Sequence, residues 1–533
     1  IFGNKANVKG GGIYVVESTL NLNNGIILGN KSEADGGGVY ALESKVNVED
    51  IIVGTNSIYS GAGGGMCLIS CDTIINNGLF YGNSNDYDGG GIYVSGTKEA
   101  IGKCTINNAT VKNNFSQHGA GVYFRNDVEA VINNCEIGGN KSTNVGTGLL
   151  LYADVKCTIN NINIHDNVAM HDSSFGVIGA GIIVATNSEL TFNGGKVVNN
   201  RIIARTDELR HGYGVGIGIF DNNSESTSII NLNAGIVSGN RGWDDGVGLY
   251  NISPRAIVNI AKTFKIFDNY KVDENDEIIG ASDVYVKQGE KINITGALEG
   301  VGEPHIGISL ADDYGNEPFT SGYSTYNTDS PYMHFFNNKV SSIAALNNGD
   351  VVFENIISSN VYDFIYLENG KRKNYSDNNL IHAVNDYVKR QEVNGGKLVW
   401  GNIIPNTSVN QFISNINYDG TSIKLLNGAK EVVYGEGADS KFADKLNNGN
   451  EFAVGTGWKV EIYTNSGEMV EEIYLSVLGD LTGDGKVNFA DVNYIRQLAN
   501  DKKSFNGLSD KAYIQLATLI VNKNGLANID CEI

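Results

Sequence analysis

Nine times in the first half of the chain a glycine cluster runs straight into an aliphatic residue or Met. The last glycine of each cluster is Gly12, Gly38, Gly65, Gly91, Gly121, Gly148, Gly181, Gly218 or Gly248. The intervals between them are 26, 27, 26, 30, 27, 33, 37 and 30 residues. A repeat of this size is one supersecondary unit that cannot bury its own apolar face, so it must stack on its neighbours. That requirement restricts the fold to a solenoid before any motif is considered.

After each glycine comes Ile13, Val39, Met66, Ile92, Val122, Leu149, Ile182, Ile219 or Leu249, and two positions later Val15, Ala41, Leu68, Val94, Phe124, Leu151 or Val184. Apolar residues at alternate positions have the period of a strand with one face turned inward. In the last two copies Asp221 and Asn251 take the second position, and the pattern frays. A second marker is an Asn ahead of the glycines, at 4, 30, 56, 83, 114, 140, 167, 200, 240 and 269. Asn accepts left-handed backbone and bonds local amides, so it reads as a turn residue. Further short apolar runs, such as Thr19 to Leu22 and Gly25 to Leu28, lie between the markers. Three short strands per turn of chain, with Gly and Asn at the corners, predict a right-handed parallel β-helix. Tyr14, Tyr40, Tyr93, Tyr123, Phe220 and Tyr250, each two after the last glycine, then face outward. Such a column reads either as a cross-strand ladder or as a sugar-stacking platform.

The elements Gly10-Gly11-Gly12-Ile13, Gly36-Gly37-Gly38-Val39 and Gly89-Gly90-Gly91-Ile92, with Phe2-Gly3-Asn4, resemble the repeats of polymorphic outer-membrane adhesins. The resemblance covers the first half of the chain and implies surface display and adhesion. The stretch from Ile306 through Phe319-Thr320-Ser321-Gly322-Tyr323-Ser324 is similar to the closing coils of β-helix surface proteins from Gram-positive anaerobes. Residues 1–353 are therefore assigned to the solenoid and its cap.

Function is sought where the repeat is interrupted. The corner Asn and the last glycine are seven to nine residues apart in seven coils, but 14 apart from Asn167 to Gly181 and 18 from Asn200 to Gly218. Insertions in a solenoid map to loops on one face. The first carries His171 and Asp172; the second carries Arg205, Asp207, Glu208, Arg210 and His211. The next coil adds Trp243, Asp244 and Asp245 at the same corner. Carboxylates, imidazoles, arginines and a Trp on one edge suit a glycan or protein ligand. They also hold the groups a polysaccharide lyase or glycosidase needs for acid and base. Solvated loops collect the same residue types, so a plain structural stalk is the third alternative.

A net charge of −21 and a pI near 4.8 argue against nucleic acid as a partner. No apolar run reaches the ~18 residues of a transmembrane helix. No leader is visible, and Ile1 to Asn4 already read as the end of a repeat, so further coils are expected ahead of them. Six cysteines in 533 residues make no disulfide framework. Cys104, Cys135 and Cys157 fall on successive coils and read as stacked buried thiols.

Residues 354–400 form a connecting segment in which Leu380, Ile381, Val384, Tyr387 and Val388 recur at helical spacing. Residues 401–478 read as a small β-rich module with turns at Asn406-Thr407, Asp419-Gly420 and Asn427-Gly428. At its end, Asp480, Thr482, Asp484, the Lys486 carbonyl, Asn488 and Asp491 occupy positions 1, 3, 5, 7, 9 and 12 of a calcium loop, with Gly485 at the sharp turn. This loop resembles the first half of a type I dockerin, which places residues 479–533 in a dockerin-like α-helical module, and 401–478 resembles the β-module that often precedes one. The resemblance implies a secreted or cell-surface bacterial protein, bound Ca2+ and a cohesin-type scaffold partner. A second loop survives only as Asn522-Lys523-Asn524-Gly525, with Ile520 and Cys531 where its first and last acidic ligands belong.

Overall fold

A computed structural model describes residues 1–171, 177–204, 212–221, 225–253, 255–299, 305–338, 342–355, 358–359, 363–368, 371–375, 398–403, 406–417, 422–447, 452–463, 467, 469–477, 480, 482–486 and 491. It divides into two compact units. One holds 1–301, 305–329 and 347–352, and the other holds 302–304, 330–346 and 353–533.

The first unit is a parallel β-solenoid of about 11 turns. A representative coil has a glycine strand, Val39–Leu42, a middle strand, Lys45–Glu49, and a third strand, Ile52–Gly54. Each type stacks in parallel on its counterpart in the next coil. The glycine strands pair without a break from Ile13–Val16 to Val122–Arg125 and on to Ile217–Phe220 and Val284–Val286. A fourth, two-residue strand at the corner, such as Lys31–Ser32, was not visible in the apolar pattern because its length is too short to show a period. The alternating aliphatic residues point inward as expected: Val39, Met66, Ile92, Leu149 and Ile182 are fully buried.

The corner asparagines have a different role from the one their turn chemistry suggests. Left-handed backbone falls on the residue before each of them, as at Gly29, Thr55, Gly82, Asn113, Gly139, Asp166 and Asn199. From Asn30 onward the asparagines themselves are buried, and each Nδ2 donates to Oδ1 of the next: Asn30 to Asn56 at 3.0 Å, Asn83 to Asn114 at 3.0 Å, Asn140 to Asn167 at 2.9 Å and Asn200 to Asn240 at 3.0 Å. The series closes where Asn269 donates to Asp283 at 2.8 Å. A side-chain amide is chosen here because it both accepts and donates, so one residue type satisfies every buried coil.

The glycine cluster meets two separate demands. Its first member, Gly36 or Gly89 for example, takes positive φ. Its last member leaves room for the adjacent coil, since a Cβ on Gly38 would stand 2.6 Å from the Gly65 carbonyl oxygen and 3.0 Å from Asn56 Nδ2. This packing corrects the sequence alignment at one coil. Ile182 pairs with Ile217 and Ile183 with Gly218, and a Cβ on Gly216 would meet the Gly248 carbonyl oxygen at 2.6 Å. Gly216, not Gly218, is the packing glycine, because an extra glycine inside the strand displaced the count by two. The inward residues are then Ile217 and Ile219, both buried, and Asp221 lies beyond the strand, bonded to Ser228 and Ser253. In the outward column Gly218 stands where Phe220 was expected. The remaining aromatics form ladder contacts, with Tyr14 stacked on Tyr40 at 5.3 Å, Tyr93 edge-on to Tyr123 at 5.3 Å and Tyr250 stacked on Tyr285 at 5.4 Å.

Cys67, Cys71, Cys104, Cys135 and Cys157 are buried free thiols. Cys104 and Cys157 share a column separated by Ala130, whereas Cys135 sits at a corner against Ala109. Burial pushes the Cys104 and Cys157 thiols well up, which keeps them unreactive.

The second unit contains a seven-stranded sheet in the order Lys371–Tyr375, Asp363–Glu368, Leu398–Ile403, Met469–Val477, Lys459–Tyr463, Ser422–Leu426, Val432–Tyr434. Only Leu398–Ile403 and Met469–Val477 run parallel. The segment assigned as a connector thus supplies two strands to this sheet. Its expected helix around Leu380 to Val388 lies outside the described residues. The helix Val409–Ser414 starts with a capping box between Ser408 and Gln411 and delivers Phe412 to a core with Trp400, Val460 and Leu475. Among the described residues no helix is long and apolar enough to cross a membrane.

Candidate functional site

At the long-loop corner the backbone of His171 ends the strand Val168–His171, paired with Ala204. Asp172, Arg205, Asp207, Glu208, Arg210 and His211 lie outside the described residues. Trp243 is half-buried against Ala169, Ala180, Ile202, Val215 and Val247. Asp244 accepts a hydrogen bond from the Gly212 amide at 2.8 Å, and Asp245 pairs with Lys271 at 3.4 Å. The three residues of this last coil therefore share one corner, where they also brace the chain.

A second concave surface runs along the third strands and has a volume of about 1020 Å³. Its floor arises from a change in the corner between middle and third strands. In earlier coils Asn108, Asn134 and Asn161 turn the chain with left-handed backbone. In later coils the two strands fuse into single ten-residue strands, Glu189–Val198 and Ile229–Ser238, which pass the corner at Gly194, Gly195 and Gly235. A Cβ on Gly195 would stand 2.0 Å from the Ile162 carbonyl oxygen and one on Gly235 2.9 Å from that of Gly195, so only glycine lets the strands pass the bend this closely stacked. Its lining runs from Asn108 and Thr110 through Asn134, Glu136, Asn163 and Lys196 to Thr263 and Lys265. Six stacked strands at ~4.8 Å spacing make it about 24 Å long.

In the middle of the trough His165 bridges two carboxylates. Its Nε2 stands 3.1 Å from Glu136 Oε1 and its Nδ1 2.7 Å from Asp166 Oδ2. The ring lies across Gly138, the paired residue of the preceding coil, where any Cβ would stand 2.7 Å from the imidazole. Burial alone would lower the His165 pKa, but the hydrogen bonds it donates to the Asp166 and Glu136 carboxylates outweigh it and hold it above the ordinary value. With a carboxylate on each nitrogen the imidazolium is the favoured form. Neither His165 nor Glu136 was singled out in the sequence. The strand register could have found them, because Gly138 and His165 are 27 residues apart, one repeat length.

In the second unit, Asp480 is fully buried and Asp491 nearly so. Asp480 accepts hydrogen bonds from the amides of Thr456, Gly483, Asp484 and Gly485, and Asp491 accepts from the amide and hydroxyl of Thr482. Burial, reinforced by the nearby Asp491 charge, raises the Asp480 pKa despite these amides. Gly483 and Gly485 take positive φ, as a tight acidic loop requires. Asp484 is exposed and accepts from the Lys486 amide at 3.0 Å. Asn488 lies outside the described residues. Among the described residues no group of three His, Cys, Asp or Glu side chains is placed to hold a metal ion. A complete cation shell here would therefore draw on Thr482, the Lys486 carbonyl and Asn488 as well as the acids. No protein-family model, no curated protein and no solved structure matches the chain.

Proposed function

We propose that this chain is a secreted or cell-surface binding protein: a right-handed β-helix that holds an extended glycan along the trough of its third strands. The observation that carries this reading is the trough itself, about 24 Å of groove walled by amides, hydroxyls, ammonium groups and carboxylates. Planar amides and carboxylates match the paired hydroxyls of a sugar. A glycine floor leaves room for a chain lying across successive strands. The adhesin-like repeats favour the same reading, and the net charge of −21 opposes nucleic acid. The long-loop corner, with His171, Asp172, Arg205, Asp207, Glu208, Arg210, His211, Trp243, Asp244 and Asp245, is the second surface proposed for a glycan or protein ligand.

The Glu136–His165–Asp166 cluster favours one alternative, cleavage of the bound polysaccharide, because a protonated imidazole between carboxylates is a proton donor. For the C-terminal loop we propose Ca2+ held by Asp480, Thr482, Asp484, the Lys486 carbonyl, Asn488 and Asp491, in a dockerin-like module that attaches to a cohesin-type partner. Calcium would neutralise the two buried carboxylates and cross-link the loop.

The test is glycan-array and cell binding by two variants. Asn163→Trp, on an exposed trough position, should abolish glycan retention while leaving the thermal midpoint unchanged. Combined Arg205→Ala, Arg210→Ala and Trp243→Ala reports on the corner instead. Unchanged retention by Asn163→Trp overturns the trough reading. Release of reducing or unsaturated sugars by the parent chain, lost in His165→Gln, would establish the alternative.

A further inference from the structure

A second groove, of about 750 Å³, lies on the outer face of the glycine strands. The residues before the positive-φ glycines stack as a column, since Gly63 bonds the Asp88 carbonyl, Gly89 that of His118, Gly119 that of Val145 and Gly179 that of Tyr213. Asp88, His118, Val145 and Tyr213 form one wall. The floor is the outward column of Tyr123, Leu150 and Ile183, each only 2–4% exposed. The other wall is the column two residues further on, in which Arg125, Tyr152, Ala185 and Phe220 pair in register. Where the floor would continue with another large side chain, Gly218 stands instead, which keeps the groove open beyond Ile183.

The groove is apolar along its length and polar at one end. There Asp88 Oδ1 stands 2.9 Å from His118 Nδ1, Asp88 Oδ2 accepts from Arg125 at 2.7 Å, and Asn144 Nδ2 lies 3.2 Å from His118 Nε2. Arg125 has five N–H donors in a fixed fork. Asp88 takes one terminal nitrogen, and with 37% of its side chain exposed the guanidinium keeps an edge on the groove. An oxygen that meets this edge makes a charge-assisted hydrogen bond at the end of an otherwise apolar groove. The Asp88 carboxylate already offsets the guanidinium charge, and the whole chain carries −21, so nothing at this end favours an anion.

We propose that this groove binds an uncharged, largely apolar molecule with one accepting oxygen, of the ketone, ester or amide class, whose oxygen meets Arg125 and whose body lies over Leu150, Ile183 and Phe220. The volume falls within the range of small-molecule sites, ~300–1,000 Å³. This site is independent of the glycan trough, which is built from the third strands.

Prodan, a neutral naphthyl ketone whose emission shifts to the blue on leaving water, is the probe. It should saturate one site per chain and be displaced by methyl hexyl ketone, but not by octanoate or octylammonium. Arg125→Leu should weaken it about ten-fold, the loss of one good hydrogen bond. Phe220→Asp and Ile252→Asp, at two lining residues away from the Asp88 pair, should abolish saturable binding while circular dichroism and thermal midpoint remain those of the parent. Asn163→Trp in the trough should leave the dye unaffected. Unsaturable dye uptake, equal binding by folded Phe220→Asp, or displacement by octanoate as effective as by the ketone would each overturn the proposal.

Discussion

At the scale of single residues, the two histidines that organise the grooves, His118 and His165, stand outside the loops where histidines drew attention in the sequence. Their meaning comes from the register: His165 can lie flat only because residue 138 of the preceding coil is glycine, and Glu136 reaches it only across two strands. A linear reading has no access to such diagonal neighbours. His165 also gives a pH test with a defined sign. Its folded pKa is raised, so the stabilisation it contributes is fully present below the unfolded value of ~6.5 and is lost as pH rises through the folded value. The difference in thermal midpoint between the parent and His165→Gln should therefore be largest near pH 5 and shrink towards about pH 8. A difference that grows with pH would show that the imidazole is not charged in the folded chain.

Among the repeating elements, the sequence is most legible where one residue type recurs for one reason, and least legible where a recurring residue has two. The aliphatic columns were readable because inward packing is all they do. Glycine was misaligned at Gly218 because positive φ, close packing and a vacant outward position all select it. The asparagines were correctly located but assigned to turns, when their left-handed neighbours make the turn and they supply the buried amide series. A direct comparison separates the two roles. Asn140→Ala removes the acceptor of buried Asn114 and the donor to Asn167, and should cost roughly 2 kcal/mol or more in denaturant unfolding. Asn133→Ala interrupts a partly exposed series, Asn160 to Asn133 to Asn107, and should cost within about 0.5 kcal/mol. Equal losses would mean that burial of the amides has no special weight.

For the molecule as a whole, the solenoid could be read from spacing and 401–478 as rich in strands, whereas the order of the second unit's sheet could not, because it joins strands separated by long stretches of chain. Leu398–Ile403 lies beside Met469–Val477, a neighbour no local pattern announces. The acidic loop was visible as a motif because its acids and glycines are close in sequence. Calcium at a hundred-fold excess over its Kd should stabilise this unit by about 2.7 kcal/mol in thermal unfolding. Asp484→Ala, at an exposed position, should weaken calcium binding in calorimetry while leaving the calcium-free midpoint nearly unchanged. Full calcium affinity in that variant would remove Asp484 from the ligand set. In the solenoid, each buried asparagine passes one hydrogen forward to the next coil, and the series ends where Asn269 donates to Asp283. A carboxyl group lacks the amide NH2 with which the series continues. One oxygen in place of one nitrogen thus works as a stop signal, written in the chain itself, for how many coils the amide series spans.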